Sequence, residues 1–252
     1  MSLAVTTISS STNNQFKIWK SLTTSKGIKE HRQFFLMGEK LVNEFLKSPP
    51  PGFEPDYMIF DSDITAKIDI KKTILSSELF KELDVLGTKS PLLVLSFKDF
   101  VEKDIQLEPK GLELICPLGD PRNLGALVRS ATAFSVREII LTKESTHPFL
   151  PQAVKASAGA VLVTRFTTTK LATNEIPIGS GNYALALFGE IITKVKWPRD
   201  LRLWVGEEGP GLNLSADQKK NLKFVNIPTS DVESLNAMVS TTIALWEWKK
   251  QN

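Results

Sequence analysis

Ser234, Leu235 and Asn236 stand where the stretch 225–248 turns from loop into helix. The first N–H groups of a helix lack intrahelical partners, and the helix dipole leaves that end partly positive. A main chain so placed can hold a ligand. Ser234 also has a plain structural role open to it, because a serine hydroxyl can cap a helix that starts there. Two more polar loops carry candidate chemistry. Residues 120–125 bring Asp120 and Asn123 ahead of Arg129, and residues 206–211 hold Gly206, Gly209 and Gly211 with Glu208. Glycine admits positive φ and close approach of a ligand to the backbone, although a tight turn uses the same residues.

Several chemistries are excluded. The 206–211 loop lacks the spacing of a dinucleotide fingerprint, and no Gly-Lys-Ser/Thr is present, which speaks against nicotinamide enzymes and P-loop nucleotidases. Cys116 is the single cysteine, so neither a disulfide framework nor a cysteine-rich zinc site is available. His31 and His147 have no ligand-like spacing, and no metal is expected. The chain has 252 residues, 42% hydrophobic and 23% charged, enough for a buried core. A net charge of +3 permits an RNA partner without demanding one. The N-terminus has no basic, apolar signal-peptide pattern. No run approaches the roughly 18 apolar residues of a membrane span. A reducing, cytoplasmic compartment is expected.

Around these loops the chain alternates strands and helices. Helical spacing covers 10–24 and 39–47, and apolar runs predict strands at 34–37, 56–60, 71–75 and 91–96, with a helix at 76–83 opened by a serine cap. The proline-rich segment 48–55 reads as a loop. Lys26, Lys29 and Arg32 form a basic cluster that suits phosphate, or simply a solvated face. Residues 1–98 thus form a small α/β domain, 99–110 a charged linker, and 111–252 a second domain. In the latter, strands at 111–117, 136–141, 161–166, 183–188 and 201–205 alternate with helices at 124–134 and 151–158, the pattern of a mostly parallel sheet. Ligands of such sheets sit beyond the carboxyl ends of the strands, where 120–125, 206–211 and 227–234 lie.

Taken together, the three loops resemble the motifs of the SpoU (TrmH-like) branch of the SPOUT RNA methyltransferases. Asp120-Pro121-Arg122-Asn123-Leu124-Gly125 with Arg129, Ala131 and Ala133-Phe134 is similar to the first motif. Residues 204–212, from Trp204 to Leu212, are similar to the second. Ile227-Pro228 with Val232-Glu233-Ser234-Leu235-Asn236 are similar to the third. Ile8-Ser9 with nearby Asn13 or Asn14, and residues 35–41, from Phe35 to Leu41, are similar to the pattern of the L30e-like RNA-binding domain often joined to this fold. Departures are Arg122 and Ser135 where the family usually has glycine, and a turn at Thr229–Asp231 that is one residue short and lacks glycine.

The resemblance implies a C-terminal α/β domain with a deep trefoil knot, which periodicity alone would not suggest. It implies a homodimer through that domain and transfer of a methyl group from S-adenosyl-L-methionine to a ribose 2′-OH. Ribosomal RNA is the preferred partner and transfer RNA the alternative. Asn123, Arg129, Glu208, Ser234 and Asn236 are the implied catalytic set. Leu187, Phe188, Gly189, Gly206, Ile227, Pro228, Ser234 and Leu235 would hold the cofactor. Lys26, Lys29, Arg32 and Arg129 would contact RNA. A non-catalytic RNA-binding protein on the same scaffold, or a small-molecule α/β enzyme, would lack this transfer.

Overall fold

A computed structural model of the chain describes residues 5–61, 69–103, 105, 108–207 and 211–252. It divides into two compact units, Met1–Asp99 with His147–Leu162, and Phe100–Thr146 with Val163–Asn252. The chain therefore leaves the second unit once, so that a segment expected in the second domain belongs to the first.

In the first unit the described strands are β1 (Val5–Ile8), β2 (Gln33–Leu36), β3 (Phe53–Phe60), β4 (Lys71–Leu75) and β5 (Leu92–Phe97). They form a mixed sheet in the order β1-β4-β3-β5-β2. Helices α1 (Asn14–Ser21), α2 (Ser25–His31), α3 (Glu39–Lys47) and α4 (Ser77–Leu83) flank them in sequence. Asn13 caps α1, accepting from the N–H groups of Gln15 and Phe16, and Ser76 caps α4 as expected. Phe16, Trp19, Phe35, Ile59, Leu79 and Phe80 share one buried cluster. Gly27 of α2 lies so near α1 that a Cβ there would stand 2.2 Å from the Ser21 carbonyl oxygen.

Pro55 corrects the reading of 48–55 as a loop, because it lies inside β3, a central strand. Phe53, Glu54 and Pro55 pair with β5 alone, and the register shifts between Pro55 and Tyr57. Pairing with β4 begins only at Tyr57. Pro55 thus sits on a locally open edge beside a bulge, where a missing N–H breaks no ladder. His147 also has a structural role. It is buried against Phe97 and Phe149, and its Nδ1 accepts from the Phe149 N–H at 3.2 Å. Burial, with Lys29 adding to it, pushes its pKa down to about 3.

The second unit carries β6 (Val101–Glu102), β7 (Leu112–Cys116), β8 (Glu138–Leu141), β9 (Phe166–Thr168), β10 (Asn182–Ile191), β11 (Leu201–Trp204) and β12 (Lys223–Asn226). All described pairings are parallel, in the order β12-β10-β11-β7-β8-β9-β6. Strands β7, β8 and β11 are buried at every position, as a sheet covered on both faces requires. Helices α5 (Pro121–Ala133), α7 (Ala216–Asn221) and α8 (Ala237–Gln251) belong to this unit, and α6 (Pro151–Ala156) to the first.

Three expectations change here. The segment 99–110 contains β6, which pairs with β9, so it is more than a linker. The strand expected at 161–166 begins at Phe166, and Val161 lies in a short 3-10 helix after Gly159, whose φ of 81° ends the preceding turn. The last helix starts at Ala237, not Ser234. Its cap is Asn236, whose Oδ1 accepts from the N–H groups of Met238 and Val239 at 2.9 and 3.2 Å. Leu235 and Ser234 therefore remain in the loop. No described helix is long and apolar enough to cross a membrane.

Candidate functional site

Strands β10, β11 and β12 release their chains at one edge of the sheet, and a cavity of about 670 Å³ opens there. Leu185, Leu187, Val225, Ile227 and Leu235 give it apolar walls. Gly206, Glu207 and Gly211 border it from the loop after β11. The start of α8 closes it with Asn236, Ala237, Ser240 and Thr241. The strand order reverses across this half of the sheet, since β10 returns beyond β11 rather than beside β9. A crevice at the carboxyl ends near such a reversal is where open α/β sheets bind ligands.

Of the residues singled out from sequence, Leu187, Gly206, Ile227, Ser234, Leu235 and Asn236 border this one cavity. Phe188, Gly189 and Pro228 adjoin it in sequence but do not line it. Gly189, at φ 114°, instead allows close strand approach: a Cβ there would lie 2.3 Å from the Phe224 carbonyl oxygen. Phe188 is exposed and its ring rests 4.8 Å from that of Phe224. Asn123 and Arg129 lie on α5, Arg129 exposed, and neither lines the cavity. Helix α5 nonetheless packs on α8 through Ser130 and Thr242, whose hydroxyls are 2.9 Å apart, and through the rings of Phe134 and Trp246. Glu208 lies outside the described residues. In the other unit Lys26 and Lys29 are exposed on α2, while Arg32 reaches Asp99 at 2.7 Å. That hydrogen bond and charge raise the Arg32 pKa.

Local chemistry accounts for the loops. Asp120 caps α5 by accepting from the Arg122 N–H at 2.6 Å, and Pro121 suits the first helical turn. The Arg122 guanidinium also bonds Asp120, and this holds the Asp120 carboxyl below its ordinary range. Ser135 and Asp231 stand at the glycine departures, and both have φ of 60°. The chain keeps the left-handed turns there without glycine, a conformation Asp tolerates better than most residues. Thr229 Oγ1 donates to the Val232 carbonyl at 2.8 Å and braces the short turn.

Sequence reasoning missed Glu207 beside Glu208. Its Oε1 accepts from the Gly119 N–H at 2.8 Å and ties the loop after β11 to the loop after β7. It also missed the α8 residues Ser240 and Thr241, which a four-residue helical step from Asn236 and Ala237 would have indicated. Cys116, at the end of β7, is no nucleophile, because burial pushes its thiol up to about 12. No group of residues suited to a metal occurs among those described.

Residues 114–246 match the model of the SpoU rRNA Methylase family. The chain belongs to this family. It is 32% identical over 259 residues to "Ribosomal RNA small subunit methyltransferase G 2" of Syntrophobacter fumaroxidans, an alignment covering 96% of this chain but 49% of that protein. The chain thus spans about half the length of that relative. It is 27% identical over 248 residues to the Bacillus subtilis 23S rRNA (guanosine(2553)-2'-O)-methyltransferase RlmP, covering 95% of this chain and 97% of that one. The fold matches that of an AdoMet-bound rRNA methyltransferase from Sinorhizobium meliloti, with a TM-score of 0.74, 21% identity and 98% of each chain covered. In this SpoU chain the family match takes in all three loops at the sheet edge, including the cavity-lining residues from Leu185 to Thr241.

Proposed function

We propose that this SpoU chain transfers a methyl group from S-adenosylmethionine to a ribose 2′-OH of RNA, with 23S ribosomal RNA as substrate. The observation that carries the reading is the cavity at the carboxyl ends of β10, β11 and β12, bordered by the second and third of the loops that resemble family motifs. Its volume of about 670 Å³ falls in the range of small-molecule sites. Its apolar walls suit a purine, and main-chain groups near Gly206 and Ile227 suit the purine's polar edge. Gly206 and Leu187 would border the ligand, Phe188, Gly189 and Pro228 would shape the loops behind it, and Ser234 and Leu235 would close it. When bound, the cofactor supplies an electrophilic methyl group. The 23S preference is supported by the relative that this chain matches along 97% of its length, which is named for 2′-O-methylation of that RNA.

The chain's own residues would do the rest. A ribose hydroxyl is a weak nucleophile and needs alignment and loss of a proton. A guanidinium is a poor base and its fork suits a phosphate, so Arg129 orients the acceptor strand rather than taking the proton directly. Asn123, Ser234 and Asn236 position the acceptor, and Glu208 orients substrate or organises the loops. Lys26 and Lys29 bind RNA phosphates on the first, L30e-like unit. Arg32 joins them by exchanging Asp99 for a phosphate. The segment between β12 and α8 is threaded as a trefoil knot. The chain works as a homodimer through α8, where Val239 and Trp246 leave apolar surface exposed on one side.

Labelled S-adenosylmethionine and total RNA from cells lacking the gene provide the test, followed by mapping of 2′-O-methyl groups. Label in 23S rRNA ribose is expected. Label confined to transfer RNA would move the substrate, and no label in any RNA would end the enzyme reading. Arg129→Ala should lower transfer about a hundredfold or more, the cost of losing a charge-assisted contact. Its calorimetric affinity for S-adenosylhomocysteine should stay as in the wild type. Normal turnover would remove Arg129 from the site.

A further inference from the structure

Glu207 brings a carboxylate to the cavity. It borders the cavity together with Glu233, and the described lining residues include no lysine or arginine. Its Oε1 is committed to the Gly119 N–H at 2.8 Å. Its Oε2 has no partner among the described residues. The backbone holding it is braced, since Glu207 and Gly211 exchange both main-chain hydrogen bonds, at 3.2 and 3.1 Å. The side chain is thus fixed at one oxygen, and no described residue holds the other.

We infer that Glu207 is a specificity-determining residue that makes the cavity favour the cationic methyl donor over its neutral product. The inference rests on the function proposed above. Methyl transfer breaks the bond between the methyl group and a positively charged sulfur. The methyl passes to the ribose oxygen, the sulfonium takes the bonding electron pair and becomes a neutral thioether, and the hydroxyl proton leaves to solvent or a phosphate. Donor and product are alike in their adenine, ribose, α-amino and carboxyl groups, so an added carboxylate that does not touch the sulfur acts on them equally. A carboxylate that acts near the sulfonium weakens with the reaction, and spent cofactor is released while donor is retained. The first role of the same side chain is to tie the loop after β7 to the loop after β11. The two roles separate by substitution, because a glutamine keeps the amide oxygen that accepts from Gly119 and removes only the charge.

The test is isothermal titration of the full chain with S-adenosylmethionine and S-adenosylhomocysteine, on wild type and Glu207→Gln. In Glu207→Gln the donor affinity should fall about tenfold while the product affinity stays within about twofold, the effect expected for one partly screened charge pair. The donor preference of the wild type should shrink with added salt, and that of Glu207→Gln should not. Equal losses for both ligands, or no loss for either, would overturn the inference and leave Glu207 as a loop tie. If wild type binds neither ligand, the cofactor assignment itself fails, and with it this reading. Thermal unfolding of Glu207→Gln within a degree or two of wild type shows that the loop tie survives, and Glu207→Ala supplies the variant in which it does not.

Discussion

At the start of the strands of the second unit, Asn182, Arg202, Glu113 and Glu138 occupy one register row across β10, β11, β7 and β8. At the finish of the strands, the chain opens into the cavity lined by Leu187, Gly206 and Ile227. Both ends place polar groups in or beside an apolar sheet, and they treat them in opposite ways. In the row the polar groups saturate one another. Arg202 Nε and Glu113 Oε2 are 2.7 Å apart, and Lys103 Nζ reaches both Glu113 and Glu138 at 2.7 Å. Thr167 donates to Glu138 at 3.0 Å, the Arg202 guanidinium donates to the Ile105 carbonyl at 3.1 Å, and Asn182 accepts from the Trp204 indole at 2.8 Å. At the other end Gly206, Glu207, Ser234 and Asn236 border a cavity, and no ion pair among the described residues ties them to one another. A sheet end with its charges matched is a lock, and one that opens into a cavity is available to a ligand.

The largest test of this contrast is to break the lock. Glu113→Ala leaves Arg202 and Lys103 facing each other with side chains only 2% and 13% exposed. Removing one partner of a buried ion pair costs about 3–5 kcal/mol, read as a lower urea midpoint. Replacing the pair together, Glu113→Leu with Arg202→Met, leaves Lys103 on Glu138 and should return stability to near or above wild type, because well-packed apolar side chains often match a buried ion pair. A loss below about 1 kcal/mol in Glu113→Ala would show that solvent relieves this end, and the contrast would collapse.

Acid should loosen the same end next. Burial opposes the charge of Glu138, but the hydrogen bond and charge of Lys103, with the Thr167 hydroxyl, hold its pKa below the ordinary 4.5. The unfolded chain then binds protons at a pH where the folded chain does not. The stabilisation is complete above about 4.5 and is lost as pH falls through the lowered folded value. Each proton taken up on unfolding contributes a slope of at most about 1.4 kcal/mol per pH unit. Urea midpoints from neutral pH to pH 3 should fall less steeply in Glu138→Gln than in wild type. Parallel curves would mean that the acid response comes from elsewhere.

The closed end was invisible in the sequence and the open end largely legible, for a physical reason. Glu113 and Arg202 each sit in a short apolar run whose period says strand and nothing more, and they are 89 residues apart in the chain. Pairing at that distance is a property of strand order, which no local pattern carries. The three loops were legible because glycine, asparagine and serine cluster there for local reasons: positive φ, caps and helix starts. Where local signals competed, reading failed. Pro55 spoke for a loop, but a bulge beside a locally open edge admits it. Ser234 and Asn236 are both cap residues by type, and the start of α8, three apolar residues followed by Ser240, Thr241 and Thr242, gave no helical phase to choose between them.

That choice yields the smallest and most discriminating measurement. Asn236 Oδ1 satisfies two otherwise unpaired N–H groups at the start of α8 while the residue borders the cavity. Ser234 borders the same cavity and is exposed, but it is outside the helix. Asn236→Ala should therefore lower stability by about 1 kcal/mol, the usual cost of a lost cap. Ser234→Ala should stay within about 0.5 kcal/mol of wild type, as surface changes away from such features do. Measured side by side by urea unfolding, the two variants separate the structural use of the junction from its ligand-facing use. If Ser234→Ala proves the costlier, the helix starts earlier than described and the site is built one turn out of place. If the order holds and both variants weaken binding of S-adenosylhomocysteine, the loss in Ser234→Ala belongs to the open end alone, because that variant leaves the fold untouched.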